Sequence, residues 1–215
     1  MASSDMNTDP QFDCLSDGCM RTALKRELIS FYSHDPDTLI IDELGLRHGA
    51  ARIDLAVING TLSGFEFKSD LDSLARLPAQ VRIYNSVFDR LTLVVVKRHL
   101  VKAQTLVPLW WGIKIAEQDS TGEVQFVVLR HPSTNPSPDM FAITKLLWRE
   151  EALSLLETLG LADGVRSKPR AAIYARLAEV AERDWLREQI RYHLRSRADW
   201  RVDEPQESDD GSLQP

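Results

Sequence analysis

Asn59-Gly60 separates two runs of strand-forming residues, Arg52-Ile53-Asp54-Leu55-Ala56-Val57-Ile58 and Thr61-Leu62-Ser63-Gly64-Phe65-Glu66-Phe67-Lys68. An Asn-Gly pair between such runs is a strong local signal for a β-hairpin, because both residues tolerate the positive φ that tight turns need. The hairpin constrains the rest of the chain, because its strands carry charge where half-buried strands should carry little. Side chains alternate along a strand, so Glu66 and Lys68 share one face and Phe67 takes the other. Asp54 and Glu66 lie about equally far from the turn and should face each other. Two carboxylates and one ammonium therefore converge on one patch of a small sheet.

Such a patch suits a hard divalent cation. Mg²⁺ keeps several waters and is held by one or two carboxylates. Bound there, it would polarise a phosphodiester and lower the pKa of a water. A lysine beside the metal-binding Glu would orient that water or offset charge in the transition state. Charged residues on one strand face are common, so the triplet taken alone favours a surface Glu/Lys pair and an ordinary Asp.

Asp54, eleven residues, then Glu66-Phe67-Lys68 resembles the D…(D/E)xK signature of the PD-(D/E)xK nuclease superfamily. Gln80-Val81-Arg82-Ile83-Tyr84 resembles the QxxxY element of its RecB-like branch. The run from Arg52-x-Asp54 to Gln80 and Phe88-Asp89 is also similar to a group of small, poorly characterised bacterial proteins placed in that superfamily. Ile53 stands where many members carry proline. The resemblance implies a restriction-endonuclease-like α/β fold, an αβββαβ core with a mixed sheet. It implies a metal-dependent nuclease in which Asp54 and Glu66 bind Mg²⁺ or Mn²⁺ and Lys68 assists the water. An acidic residue upstream of the Asp often completes such sites; Glu43 and Glu27 are the candidates, and Glu43 is preferred because its strand should neighbour Asp54. DNA is the expected substrate because most of the resembling nucleases act on it, in repair or in defence against foreign DNA. The alternative is a catalytically silent or partner-dependent nucleic-acid-binding subunit of the same fold. The sequence leaves a homodimer or a protein partner open.

The remaining chain is organised around this core. With 215 residues, 43% hydrophobic and 27% charged, it has the composition of an ordinary soluble protein with one sizeable core. No run approaches the ~20 apolar residues of a membrane span, and residues 1–17 lack the basic and apolar regions of a secretory signal. The expectation is a cytoplasmic protein. Cys14 and Cys19 are the only cysteines and give no disulfide framework. Histidines 34, 48, 99, 131 and 193 show no metal-ligand spacing. Residues 1–17 and 202–215 are acidic, polar tails expected to be disordered. The net charge of -6 is concentrated there, and the body carries about +3, compatible with nucleic acid without requiring it.

The nuclease-like domain is expected over 18–132 and a helical region over 139–201. Residues 19–33 read as a helix with a stripe of Ala23, Leu24, Leu28 and Phe31, followed by a first strand over 38–46. A helix is expected from Ser69-Asp70 to about Phe88, with Pro78 as a local break or the first turn of a new helix. Asp72, Arg76, Gln80 and Tyr84 recur every four residues and should share one face, a polar rail in which Gln80 and Tyr84 frame substrate and Arg76 meets phosphate. Leu91 to Val96 reads as a buried central strand, and 109–116 with 124–129 as a second hairpin. Trp110-Trp111 are expected to serve the core rather than stack bases. One helix is expected over 140–159 and another from Pro169 to about Arg197. The second carries basic side chains at 176, 183, 187, 191 and 195, either a solvated face or a phosphate-contacting one.

Overall fold

The chain folds as the hairpin signal requires. In the computed structural model, which describes residues 15–46, 49 and 51–197, strands β2 (Ala51–Ile58) and β3 (Leu62–Lys68) pair antiparallel across Asn59-Gly60. The Asn59 side-chain oxygen accepts from the Thr61 N–H at 3.0 Å and from its hydroxyl at 3.2 Å, a turn that asparagine favours.

Around the hairpin, α1 (Asp17–Phe31) precedes β1 (Leu39–Leu46), and α2 (Leu77–Asn85) leads from β3 to β4 (Arg90–Val96). A short 3₁₀ turn and α3 (Leu100–Leu106) lead to β5 (Gly112–Gln118) and β6 (Val124–Arg130). The sheet has six strands in sequence order. β3, β4 and β5 run parallel to one another, whereas β1–β2, β2–β3 and β5–β6 are antiparallel. The protein is a mixed α/β fold, and α1 to β4 give the expected α-β-β-β-α-β order.

Each face of the sheet is covered by helix. On one, Met20, Leu24 and Leu28 of α1 pack on Leu55, Val57, Phe67, Val94 and Val96. Phe31, expected in that stripe, lies at the helix end and is 76% exposed. On the other, Ile53, Ile58, Leu93 and Val95 meet α2, α3 and the C-terminal helices in one continuous core. Gly64 permits this closeness, since a Cβ there would stand 2.8 Å from Leu91 and 3.1 Å from the Phe88 ring. Trp111 is fully buried, as expected, with its indole N–H donating to Asn85 Oδ1 at 2.8 Å.

The long helices expected after Pro138 are each divided. Residues 140–159 form α4 (Met140–Thr144) and α5 (Arg149–Thr158), because the Glu151 carboxylate accepts from the Trp148 N–H at 2.7 Å and starts a new helix. Residues 170–196 form α6 (Arg170–Val180) and α7 (Arg183–Ser196), where Glu182 accepts from the Asp184 and Trp185 N–H groups. A carboxylate at an N-cap satisfies orphan donors and complements the helix dipole. Leu15 and Asp17 lie within the fold rather than in an N-terminal tail. Leu15 is buried and exchanges backbone hydrogen bonds with Asp70, at 3.0 Å to its carboxylate and 3.1 Å from its N–H. The C-terminal tail and Cys14 lie outside the described residues.

The part of the basic face that lies on the middle and end of α7 is turned toward the sheet. Arg187 donates to Asp89, Arg191 approaches Asp89 at 3.9 Å, and Arg195 donates to the Asn59 carbonyl at 3.0 Å. Arg183 donates to the Pro138 carbonyl at 3.4 Å, and Arg176 pairs with Glu179 at 3.8 Å. Asp89 is 4% exposed and also accepts from the Leu62 N–H at 2.8 Å, so it ties α7 to the hairpin end of β3. The residues between β6 and α4 are pinned there too, because buried Asn135 donates to the Asn85 and Phe88 carbonyls at 2.8 Å. Removing one partner of a buried pair leaves the other charge uncompensated. Asp89→Ala should therefore cost about 3–5 kcal/mol in urea denaturation, and Asp89→Asn, which keeps an acceptor for Leu62, distinctly less.

Candidate active site

The ladder between β2 and β3 runs from Ile58↔Leu62 to Leu55↔Phe65, and the next residues in that register are Asp54 and Glu66. Here the strands part. Asp54 closes the gap with its side chain, Oδ2 accepting from the Phe67 N–H at 2.7 Å. The core pattern slips at the same level. Ile41 and Leu44 of β1 face one core although three residues apart, while Ile53 and Leu55 of β2 face opposite cores although two apart. Glu43, between those β1 residues, has φ +55°, the one positive value for a non-glycine among the described residues.

Beyond the parting lies a cleft of about 500 Å³ lined by Asp17, Arg52, Asp54, Glu66, Lys68 and Asp72, with Arg76, Gln80 and Tyr84 along its α2 side. Glu66 is 1% exposed and Lys68 5%. Lys68 Nζ donates to Glu66 Oε1 at 2.5 Å, and Gln80 Nε2 donates to the same oxygen at 2.6 Å. Gln80 also donates to the Tyr84 hydroxyl at 3.2 Å, which donates to the Arg52 carbonyl at 2.6 Å. Tyr84 is fully buried and stacks on Trp111. Burial first, then the nearby Glu66 charge, pushes its phenol well above the usual range.

Glu66 Oε2 and Gln80 Oε1 are buried without a hydrogen-bond partner. A buried carboxylate oxygen left unpaired is costly, and a hard cation would satisfy it. Asp54 gives the same indication. Burial, then the neighbouring Glu66 charge, push its pKa up to about 7 against the pull of the Phe67 N–H. Among the described residues no group of three or more His, Cys, Asp or Glu forms a ready metal-binding set. The cleft offers a carboxylate pair, a donor set that fits Mg²⁺ or Mn²⁺ with water completing the coordination.

The sequence-derived residues divide into two groups. Asp54, Glu66, Lys68, Arg76, Gln80 and Tyr84 all meet at the cleft. Gln80 gives its amide N–H groups to Glu66 and the Tyr84 hydroxyl, and that hydroxyl donates to the β2 backbone, so both brace Glu66. The four-residue rail exists, but not as one helix. α2 begins at Leu77 with Pro78 in its first turn, and Asp72 and Arg76 precede it. Asp72 turns back to accept from the Ser69 N–H and hydroxyl at 2.8 and 2.6 Å, which hold it below the usual carboxylate range despite its burial. Glu43 does not join Asp54 and Glu66 at the cleft. Its left-handed backbone directs it to Arg21 at 2.9 Å and Arg52 at 2.7 Å, and it is outside the cleft lining. Glu27, the other candidate, pairs with Lys114 at 2.7 Å. Besides Asp54, Glu66 and Asp72, the cleft is lined by Asp17, which is paired with Arg21. Its signal was Ser16-Asp17, an N-cap and first-turn acid that mark a helix start.

Fold and site together define a mixed α/β protein with a buried carboxylate–lysine–glutamine cluster at the C-terminal end of a parallel strand. The chain belongs to the family of bacteriophage P4 protein cII, whose family model matches residues 19–214. Protein cII of Enterobacteria phage P4 is 30% identical over 125 residues, 58% of this chain and 47% of that protein. The chain thus spans about half the length of that curated relative. Among solved structures, the SPO1766 protein of unknown function from Silicibacter pomeroyi aligns over 72% of this chain and 100% of its own, with a TM-score of 0.38 and 18% identity.

The raised pKa of Asp54 has a consequence for stability. A carboxyl held near 7 in the fold and near 4 when unfolded binds its proton more tightly in the native state. Its contribution is fully present below pH 4 and is lost as pH rises through 7. Asp54→Asn removes this loss and keeps an oxygen for the Phe67 N–H. Without divalent cations, the variant should match the wild type near pH 4 and exceed it by up to about 4 kcal/mol above pH 8, as read from denaturation midpoints across pH.

Proposed function

We propose that the protein is a metal-dependent nuclease that hydrolyses phosphodiester bonds, with DNA as substrate. The observation that carries this reading is the buried Glu66, which gives one oxygen to Lys68 and Gln80 and leaves the other unpaired beside Asp54. A structural ion pair has no use for the open oxygen; a metal site does. Asp54 and Glu66 would hold Mg²⁺ or Mn²⁺, which when bound polarises the phosphodiester and acidifies a water. Lys68, fixed by Glu66, orients the attacking water and offsets charge developing on the phosphoryl oxygens. Gln80 holds Glu66 in place, and the Tyr84 hydroxyl holds Gln80 and the β2 backbone. Arg76 stands exposed at the rim, where it can meet a phosphate.

A partner-dependent subunit is the second reading. Arg187, Arg191 and Arg195 of helix α7 are engaged by Asp89 and the Asn59 carbonyl, so a firm grip on nucleic acid would come from another chain.

Wild type and Lys68→Ala are incubated with plasmid, linear and single-stranded DNA and with RNA, in Mg²⁺, Mn²⁺ or EDTA. The expected result is cutting that needs metal and falls about 100-fold or more in the variant. Absence of cutting by the wild type on every substrate overturns the standalone enzyme. Calorimetric titration with Mn²⁺ then decides between the remaining readings: binding lost in Asp54→Asn supports the partner-dependent subunit, and no binding removes the metal site altogether.

A further inference from the structure

Arg52 lines the cleft with an exposed guanidinium held by a single carboxylate. Its backbone is fixed, because the buried Tyr84 hydroxyl donates to its carbonyl at 2.6 Å. Its side chain is 56% exposed, lines the cleft two residues from Asp54, and is held outward by Glu43 at 2.7 Å. Glu43 itself sits in the left-handed region at φ +55°, a conformation that L side chains other than Asn and Asp seldom adopt. Its carboxylate has a second, less exposed partner, Arg21, at 2.9 Å, and Arg21 is also paired with Asp17.

We propose that Arg52 binds a phosphate of the substrate, and that Glu43 is an internal carboxylate which occupies its guanidinium until that phosphate arrives. The proposal rests on the nuclease reading and names how the same cleft takes hold of its substrate. A guanidinium accepts either group through paired N–H···O bonds, so a phosphate can replace the carboxylate without a change in the donor geometry. The pair that must break is exposed, and exposed pairs are weak. The pair that remains is the less exposed one, so Glu43 keeps Arg21 and is not left as an uncompensated charge. Exchange also corrects a mismatch in the cleft. Asp17, Asp54, Glu66 and Asp72 line it and repel a polyanion, and a released Arg52 adds positive charge at the mouth when a phosphate is present. On α7, by contrast, Arg187 donates to the buried Asp89 and Arg195 to the Asn59 carbonyl, and neither has a comparable exit.

The test is binding rather than cutting. Fluorescence anisotropy follows a short fluorescein-labelled oligothymidylate, with Ca²⁺ in place of Mg²⁺ and over a range of salt. Arg52→Ala is expected to weaken binding by about tenfold and to lower the salt slope by about one phosphate contact. Glu43→Gln, which keeps the shape but frees Arg52, is expected to tighten binding by about threefold to fivefold. The double variant should bind as weakly as Arg52→Ala alone. Thermal denaturation verifies that each variant is folded, and Arg52→Lys provides the conservative comparison, with intermediate affinity. Wild-type binding that neither Arg52→Ala nor Glu43→Gln alters overturns the exchange and leaves the nuclease reading standing. Weaker binding in Glu43→Gln does the same, because it assigns Glu43 a purely structural role. No binding by wild type or by Glu43→Gln overturns both.

Discussion

The site depends on the place where β2 and β3 stop pairing. A continued ladder would spend the backbone groups beyond Leu55 and Phe65 on each other and leave Asp54 and Glu66 as neighbours in a flat sheet. Instead the Asp54 side chain takes the Phe67 N–H, and the strands open into a cleft. That single hydrogen bond fixes the carboxylate, satisfies a main-chain donor that the parting would otherwise orphan, and sets Phe67 into the α1 core. Glu66 then points to the α2 side, where Gln80 and Tyr84 reach it. Trp111, just ahead of β5, supports Tyr84, so the cluster is braced by β2, β3, α2 and the segment that enters β5. Chemistry of this kind needs groups held within a fraction of an ångström, and buried neighbours on rigid elements supply that.

Charge is distributed in a way the totals conceal. The described body carries many arginines, yet those on α7 turn inward to Asp89 and to main-chain oxygens. The cleft brings four acids, Asp17, Asp54, Glu66 and Asp72, together with the cations Arg52, Lys68 and Arg76. Half-buried arginines that donate to the buried Asp89 and to the Asn59 carbonyl are the means by which helix α7 is fastened to the sheet.

Much of the centre was legible because its signals are local. Asn59-Gly60 set the turn, the turn set the register, and the register set Asp54 opposite Glu66. The spacing of Gln80 and Tyr84 needed only one helical turn. Glu43 was misjudged because alternation fails there: both β1 and β2 slip by one residue, and a positive φ at a glutamate leaves no mark in composition. Asp17 was missed because the acidic run before it looked like a tail, although Ser16 is a helix cap. The divided C-terminal helices escaped notice because Glu151 and Glu182 act as local caps, and glutamate is a poor statistical marker of a helix start. The inward turn of the arginines depends on Asp89 and Asn59, which lie far away in sequence.

That distance bears on how the chain acquires its shape. Asp89 and Arg187 are 98 residues apart, and Asn59 and Arg195 are 136 apart. Contacts of such range require long loop closure before they stabilise anything. The buried aspartate and the outer end of the hairpin are therefore completed only when α7 docks on a sheet that has already paired. Helix α7 acts as a latch: its arginines find their acceptors only where the assembled hairpin and Asp89 present them together.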